Sequence, residues 1–483
     1  MPPKRERPRR TKIVCTIGPA TSSRAAIRRL ARAGMDVARL NFSYGTHETH
    51  ARTIALLRSV AEEVGRPIGI LQDLSGPKLR VGELPGGMVE LRAGAPLVLS
   101  VTESASSSPS RLPLPVPELA RAVAPGQRLL LADGSIELRV LSASRSEIRC
   151  RVQVGGVLKS HQGLNAPDAA LPIRTVTAKD LADLKFGLAR GLDWVAMSFV
   201  RRASDLSPLR RALKGASPAP KLMAKIEKHE AVDRLDEIVE AADGIMVARG
   251  DLGIELPLAQ VPVLQKAIIA RCRRVGRPVV TATQMLESMV SSPRPTRAEV
   301  SDVANAVFDG SDGVMLSGET AAGRYPTEAV RVMSDVIARA EAASDFQERL
   351  TESRAWPCES IASGISEAAC SLAGDVNARA IITATGSGYT ALMVSRHRPE
   401  TPIIAVTADV ATLRRLTLVW GVHPLLAPRG RNSDELIVNA VARARQAGLV
   451  RAGDRVVVTA GVPPGPGNTN LLKVVVVGRH AKL

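Results

Sequence analysis

The chain has 483 residues, 45% of them apolar and only 2% aromatic, with a formal net charge of +18. That length suits roughly two to four domains with well-buried cores, and no apolar run approaches the ~20 residues of a membrane-spanning helix. So basic a chain raises nucleic-acid binding, but no stacking platform or recognition motif accompanies the charge; anionic substrates in a basic cleft explain it more simply, with no specific nucleic-acid or membrane partner expected.

The start, MPPKRERPRR (1–10), is basic and lacks the apolar stretch of a signal peptide, so it is expected to be a disordered tail. Cys15, Cys150, Cys272, Cys358 and Cys370 are odd in number and scattered, which argues against a disulfide framework or a zinc site and for a reducing cytoplasm. Strand-type runs TKIVCT (11–16), DVARLNF (36–42) and PIGILQD (67–73) alternate with helical patterns around 24–33 and 47–64. From 82 to 175 the pattern changes to short alternating runs. The turn sequences ADGS (132–135) and VGGV (154–157) and the Ser/Pro-rich ESASSSPSRLPLP (103–115) mark an inserted all-β domain.

The alternation resumes with DWVAMSF (193–199), PKLMAKIE (220–227), GIMVA (244–248), RPVVTAT (277–283) and GVMLS (313–317). Helical stretches lie around 180–190, 203–214, 229–241, 260–275, 297–307 and 326–343. Eight strands alternating with eight helices predict an α/β fold, a closed (β/α)8 TIM barrel over 11–81 and 176–345. Over 346–483 the runs RAIITAT, PIIAVT, DRVVVTA and LKVVVV, with helices between, predict a separate open α/β domain.

The most informative stretch is KIEKHEAVDRLDEIVEAADGIMVARGDLGIE (225–255). On a strand, Lys225 and Glu227 point to one side, because side chains alternate. Asp251 follows the next strand, so an ammonium and two carboxylates can meet at one rim. Such a group suits a divalent cation holding an anionic substrate. Barrel enzymes gather their chemistry at the carboxyl ends of strands. Arg39, Asn41, Ser43, Asp73, Ser198, Phe199, Thr283, Ser317 and Glu319 all fall there. Taken singly, Ser317 and Thr283 read as polar caps, Phe199 as packing and Cys15 as a small core residue.

These segments resemble the pyruvate kinase family: TKIVCTIGPA (11–20), MDVARLNFSYGTHE (35–48), LQDLSGPKLRVG (71–82), KIEKHEAV (225–232), IMVARGDLGIE (245–255), TATQMLESM (281–289), PRPTRAEVSDVANAVFDGSDGVMLSGETAAGRYP (293–326) and RHRPETPIIAVT (396–407). The resemblance implies transfer of the phosphoryl group of phosphoenolpyruvate to ADP, giving pyruvate and ATP, in a homotetramer. It implies Mg2+, or Mn2+ in its place, on Glu227 and Asp251, and Lys225 and Arg39 on the phosphoryl group. The Gly250 amide and Thr283 would orient the substrate carboxylate, with Thr283, Ser317 and Glu319 near the route of enolate protonation. Arg80, Lys179, Asn41 and Tyr44 would meet the nucleotide, and Asp133 would approach from the inserted lid.

This chain departs from the family pattern at three places. Tyr44 stands where many members have histidine, and Lys228 replaces the asparagine of KIEN. LSGPK (74–78) replaces the TKGPE of animal enzymes. Many members hold a monovalent cation at positions matching Asn41, Ser43, Asp73 and the carbonyl of Leu74, with glutamate at the position of Lys78. Here the Lys78 ammonium can supply that positive charge, so K+ is not expected to be required. In the last domain, TGSGYT (385–390) places Thr385, Ser387, Gly388 and Thr390 before a helix, either a Gly/Ser turn or a phosphate nest. The resemblance favours a phosphorylated effector. The loop GVPPGPGNTN (461–470) lacks the tryptophan–arginine pair of bisphosphate-activated forms, which points to AMP or a sugar monophosphate. Two other readings remain at this point: a metal-dependent lyase or aldolase on a related barrel, and a catalytically silent metabolite sensor.

Overall fold

The computed structural model describes residues 9–101, 108, 110–169, 171–343, 346, 358, 360–462 and 468–478. Its centre is a closed barrel of eight parallel strands: Lys12–Thr16, Val37–Asn41, Gly69–Leu74, Trp194–Met197, Lys221–Ile226, Gly244–Ala248, Val279–Ala282 and Gly313–Leu316. The first strand pairs with both the second and the eighth, which closes the ring. Nearly every strand residue is buried, because side chains fill the interior and helices cover the outside. The helices begin where the sequence offers caps: Ser23, Thr46, Thr177 and Thr296 each accept a backbone N–H of the first turn. The expected helix over 229–241 is instead two, His229–Asp233 and Leu235–Ala241, separated at Arg234.

The insertion leaves the barrel after its third strand. Its six-stranded sheet runs in the order Leu164–Asn165, Arg128–Leu131, Ile136–Ala143, Glu147–Val154, Pro96–Ser100, Arg111–Pro113, beside a two-stranded pair, Met88–Leu91 with Gly156–Lys159. ADGS is a hairpin turn, with Ala132 at φ +50° and Asp133 at φ +53°. VGGV is not a hairpin. Its first strand, Glu147–Val154, belongs to the larger sheet and the next, Gly156–Lys159, to the smaller one. Gly155 marks the crossing, where a Cβ would collide with the Leu91 carbonyl. The insertion is also not purely β: helix Pro117–Ala122 packs Leu119 and Ala120 into its core.

The C-terminal domain has a five-stranded sheet in the order Val422–Leu426, Ile403–Thr407, Ala380–Ala384, Arg455–Gly461, Thr469–Val476, the last strand antiparallel. The half-buried edge strand VHPLL carries no clear apolar signal, so the sequence reading passes over it. Residues 416–422 press against the barrel floor. Leu418 joins the barrel's interior cluster with Val14, Leu71, Met246 and Met315, and Trp194 Nε1 donates to the Arg415 carbonyl at 3.2 Å.

Arg9 and Arg10, assigned to a disordered tail by composition, are tied into the fold. Arg9 pairs with Asp36 at 2.6 Å, and the Arg10 amide donates to Glu341 at 2.9 Å. The rest of the tail, residues 103–107 and 109 of the Ser/Pro-rich stretch and residues 463–467 of the later Pro/Gly loop lie outside the described residues.

Candidate active site

The carboxyl ends of the barrel strands bring together most of the residues singled out in the sequence. Lys225 is held by Glu227 Oε1 at 2.7 Å and Asp73 Oδ1 at 3.4 Å, and it donates to Ser198 Oγ at 2.8 Å. Lys225 and Glu227 share a face because they are two apart at the end of the fifth strand. Arg39 Nε donates to Asp73 Oδ2 at 2.7 Å, and its Nη1 donates to Thr16 Oγ1 at 2.9 Å. Two cations and two carboxylates thus share a site almost closed to water, with Asp73 and Glu227 each 1% exposed.

The electrostatics follow from burial set against close charges. Burial opposes the charged form of Lys225, but Asp73 and Glu227 outweigh it and hold its pKa above the ordinary lysine value. Burial likewise opposes the Asp73 carboxylate, yet Lys225 and Arg39 keep its pKa low. For Glu227 burial wins, helped by repulsion from Asp251, so its pKa is raised despite Lys225. A carboxylate held uncomfortably beside a second one is a place for an added cation.

The Phe199 amide donates to Glu227 Oε2 at 2.8 Å, so Phe199, read from sequence as packing, also orients this carboxylate through its backbone. It does so at φ +58°, in the left-handed region. Asp251 lies in the short helix Arg249–Glu255 after the sixth strand rather than in a loop. The Gly250 amide donates to Thr283 Oγ1 at 2.7 Å, and Thr283 sits one residue past its strand at φ +69°. Arg249, absent from the sequence reading, holds the Thr283 carbonyl at 2.9 Å and pairs with Asp302 at 2.7 Å. Only its place beside Asp251 could have drawn attention to it. Glu319 is fully buried, and its oxygens accept the amides of Leu286 (3.0 Å) and Ser317 (2.6 Å). The Ser317 hydroxyl is buried without a hydrogen-bond partner.

The residues read as nucleotide contacts lie around this centre. Arg80 Nη1 donates to the His161 carbonyl at 2.8 Å, and Lys179 donates to the Phe42 carbonyl and to Asp183, both at 2.6 Å. Asn41 Oδ1 accepts the Ser43 amide at 3.0 Å, while Tyr44 is 67% exposed. Lys78 runs along Gly163 of the lid, where an added Cβ would sit 3.1 Å from Lys78 Cε. The ADGS turn reaches the barrel: a Cβ on Gly134 would lie 3.7 Å from Ile254, three residues after Asp251. The Leu74 carbonyl accepts the Ser198 hydroxyl at 2.8 Å.

In the C-terminal domain, Thr385 Oγ1 accepts the Gly388 amide at 2.9 Å, with Gly388 at φ +87°. Thr390 bonds Thr469 at 2.7 Å, and Ser387 Oγ accepts the Tyr389 amide at 3.4 Å.

Such a barrel, with a lid and a buried cluster of cations and carboxylates at its mouth, defines an enzyme acting on a small anionic substrate. Residues 8–330 match the family model "Pyruvate kinase, barrel domain", and residues 363–475 match "Pyruvate kinase, alpha/beta domain". The chain is 47% identical to the pyruvate kinase of Geobacillus stearothermophilus over 97% of its own length and 80% of that protein's. It is equally similar, 47% with the same coverage, to pyruvate kinase 2 of Synechocystis. A crystal structure of a pyruvate kinase from Cryptosporidium parvum superposes with a TM-score of 0.89 at 39% identity, covering 97% of this chain and 96% of that one. The chain belongs to the pyruvate kinase family. It is a phosphotransferase that moves the phosphoryl group of phosphoenolpyruvate to ADP, giving pyruvate and ATP. The lyase and silent-sensor readings fall with that assignment.

Proposed function

We propose that Glu227 and Asp251 hold the divalent cation of this reaction, Mg2+ or in its place Mn2+. The observation that carries this is Glu227: buried, near enough to Asp251 for the two charges to repel, and held at a raised pKa even though its Oε1 meets the Lys225 ammonium at 2.7 Å. Among the described residues no group of three or more His, Cys, Asp or Glu forms a closed metal cage. Two carboxylates leaving room for water and substrate oxygens suit Mg2+. When bound, the cation offsets charge on the phosphoryl and enolate oxygens.

The side chains then divide the work. The ammonium of Lys225 and the guanidinium of Arg39 face the phosphoryl oxygens, where a loose transition state spreads negative charge. Both are already ordered by Asp73, Ser198 and Thr16, so little reorganisation accompanies the reaction. The Gly250 amide and Thr283 hydroxyl fix the substrate carboxylate, and Thr283, Ser317 and Glu319 line the route by which the enolate gains its proton. Arg80, Lys179, Asn41 and Tyr44 meet the nucleotide, for which Lys179 exchanges its bond to Asp183. Asp133 comes from the lid, whose closure excludes water.

No monovalent cation is needed. The Leu74 carbonyl, Asn41 Oδ1 and Asp73 already have hydrogen-bond or ionic partners, and Lys78 brings a positive charge to the hinge of the lid. Thr385, Ser387, Gly388 and Thr390 receive the phosphate of a monophosphate effector. The enzyme works in the cytoplasm as a homotetramer; no helix among the described residues is long and apolar enough to cross a membrane. The test of the metal assignment is a titration with Mg2+ in a coupled assay. Glu227→Gln and Asp251→Asn should each raise the half-saturating Mg2+ concentration at least ~tenfold, and unchanged metal dependence would mean the ligands are elsewhere.

A further inference from the structure

We infer that Lys228 is a positioning residue which, by pairing with Glu255, keeps the two metal carboxylates in register; this rests on the assignment of Glu227 and Asp251 above. Lys228 directly follows Glu227 and stands at the entry to helix His229–Asp233. Its ammonium donates to Glu255 Oε1 at 2.6 Å. Glu255 is the last residue of the helix Arg249–Glu255, four positions after Asp251, so both carboxylates lie on one face of it. The ion pair therefore joins the residue after one metal carboxylate to the turn after the other. It is a side-chain tie between the ends of the fifth and sixth barrel strands.

The pair is buried, with the Glu255 side chain 0% and that of Lys228 14% exposed. A buried pair of this kind is costly to break by removing one partner, because the other is left charged and desolvated. Among the described residues Lys228 is the one lysine or arginine within 4 Å of Glu255. The second oxygen, Oε2, has no hydrogen-bond partner and lies 3.7 Å from His229 Nδ1. Without the ammonium, Glu255 would have to reach water, and the seven-residue helix carrying Asp251 is short enough to move with it. Asp251 would then leave its place opposite Glu227. The groups that orient metal ligands typically matter by about 10–100-fold in metal affinity when removed.

The experiment measures Mn2+ binding to the full chain without turnover, from the electron paramagnetic resonance signal of free Mn2+. Thermal unfolding in excess chelator is followed beside it. Lys228→Met and Glu255→Gln should each weaken Mn2+ binding about tenfold or more, whereas Lys228→Arg, which can keep the pair, should stay within about threefold of wild type. A folded Lys228→Met protein that binds Mn2+ within twofold of wild type overturns the inference, even if its melting temperature falls, since that is what a purely structural pair would give. Should Lys228→Met not fold, Glu255→Gln decides by the same criterion. Glu227→Gln separates the two levels of the argument. If it keeps full Mn2+ affinity, the metal assignment is wrong and this inference goes with it; if it alone loses affinity, only the role of Lys228 is refuted.

Discussion

Arg398 of the C-terminal domain donates to Asp312 of the barrel at 2.8 Å, and the two are 1% and 3% exposed. The same carboxylate accepts the Trp420 amide at 3.0 Å and the Val279 amide at 3.1 Å. The guanidinium lies 5.0 Å from the centre of the Trp420 ring. Removing either partner leaves the other a buried charge without its counterion. Asp312→Leu or Arg398→Met should therefore lower the unfolding free energy by about 3–5 kcal/mol in urea denaturation. A loss below about 1 kcal/mol would mean that water or neighbouring groups replace the lost partner.

Lys225→Met should lower kcat by roughly a thousandfold or more while leaving phosphoenolpyruvate binding largely intact, because the ammonium matters most when phosphoryl charge is moving. Equilibrium binding of the substrate, measured beside steady-state kinetics, makes the separation. Full turnover in the variant would remove Lys225 from the mechanism.

Potassium provides a third test. A charge pair at ~4 Å with an effective dielectric of ~20 is worth about 4 kcal/mol, so a tethered ammonium and a K+ ion at one small site would repel strongly. The wild-type enzyme should be fully active in sodium-only or tetramethylammonium-only buffer, and Lys78→Glu should create a K+ requirement. A tenfold or greater gain from K+ in the wild type, at constant ionic strength, would end the idea.

The effector site is expected to prefer a monophosphate. AMP or a sugar monophosphate should lower the half-saturating phosphoenolpyruvate concentration, and Ser387→Ala should weaken that response. Strong activation by fructose 1,6-bisphosphate alone would reverse the choice.

His423, on the edge strand against the barrel, has its pKa pushed down to about 4 by burial and by Lys12, with Asp36 acting weakly the other way. The folded chain thus keeps the ring neutral at a pH where the unfolded chain binds a proton at its ordinary value near 6.5. The stability tied to this neutral ring is complete above pH ~6.5 and drains away as pH falls towards 4. The melting temperature should fall across that window, and His423→Gln should flatten the slope. An identical pH profile in the variant would show that the ring contributes nothing.

The barrel was readable because strands and helices alternate with regular spacing, and the Lys225–Glu227 pair because side chains two apart on a strand share a face. The rim itself was less so. Phe199 and Thr283 adopt positive φ that no propensity announces, and their roles as an amide donor and a turned hydroxyl depend on that backbone. Ser198 was noticed as a polar strand end, but its bond to Lys225 joins residues 27 apart and exists only in the folded chain. VGGV misled for a related reason: two glycines declare a sharp bend, and whether the chain then pairs with its predecessor or leaves for another sheet is decided by distant Leu91. Lys228 shows in the sequence only as a departure from KIEN, because its partner Glu255 is 27 residues away and meets it only in the folded chain.

Leu418 reaches into the base of the barrel from a segment that belongs to another domain. The catalytic unit thus borrows part of its floor from its neighbour. A chain cut between the two domains would leave one piece with an open apolar socket and the other with an exposed peg. Any recombination that exchanges one half for a foreign counterpart must also carry over the fit between peg and socket.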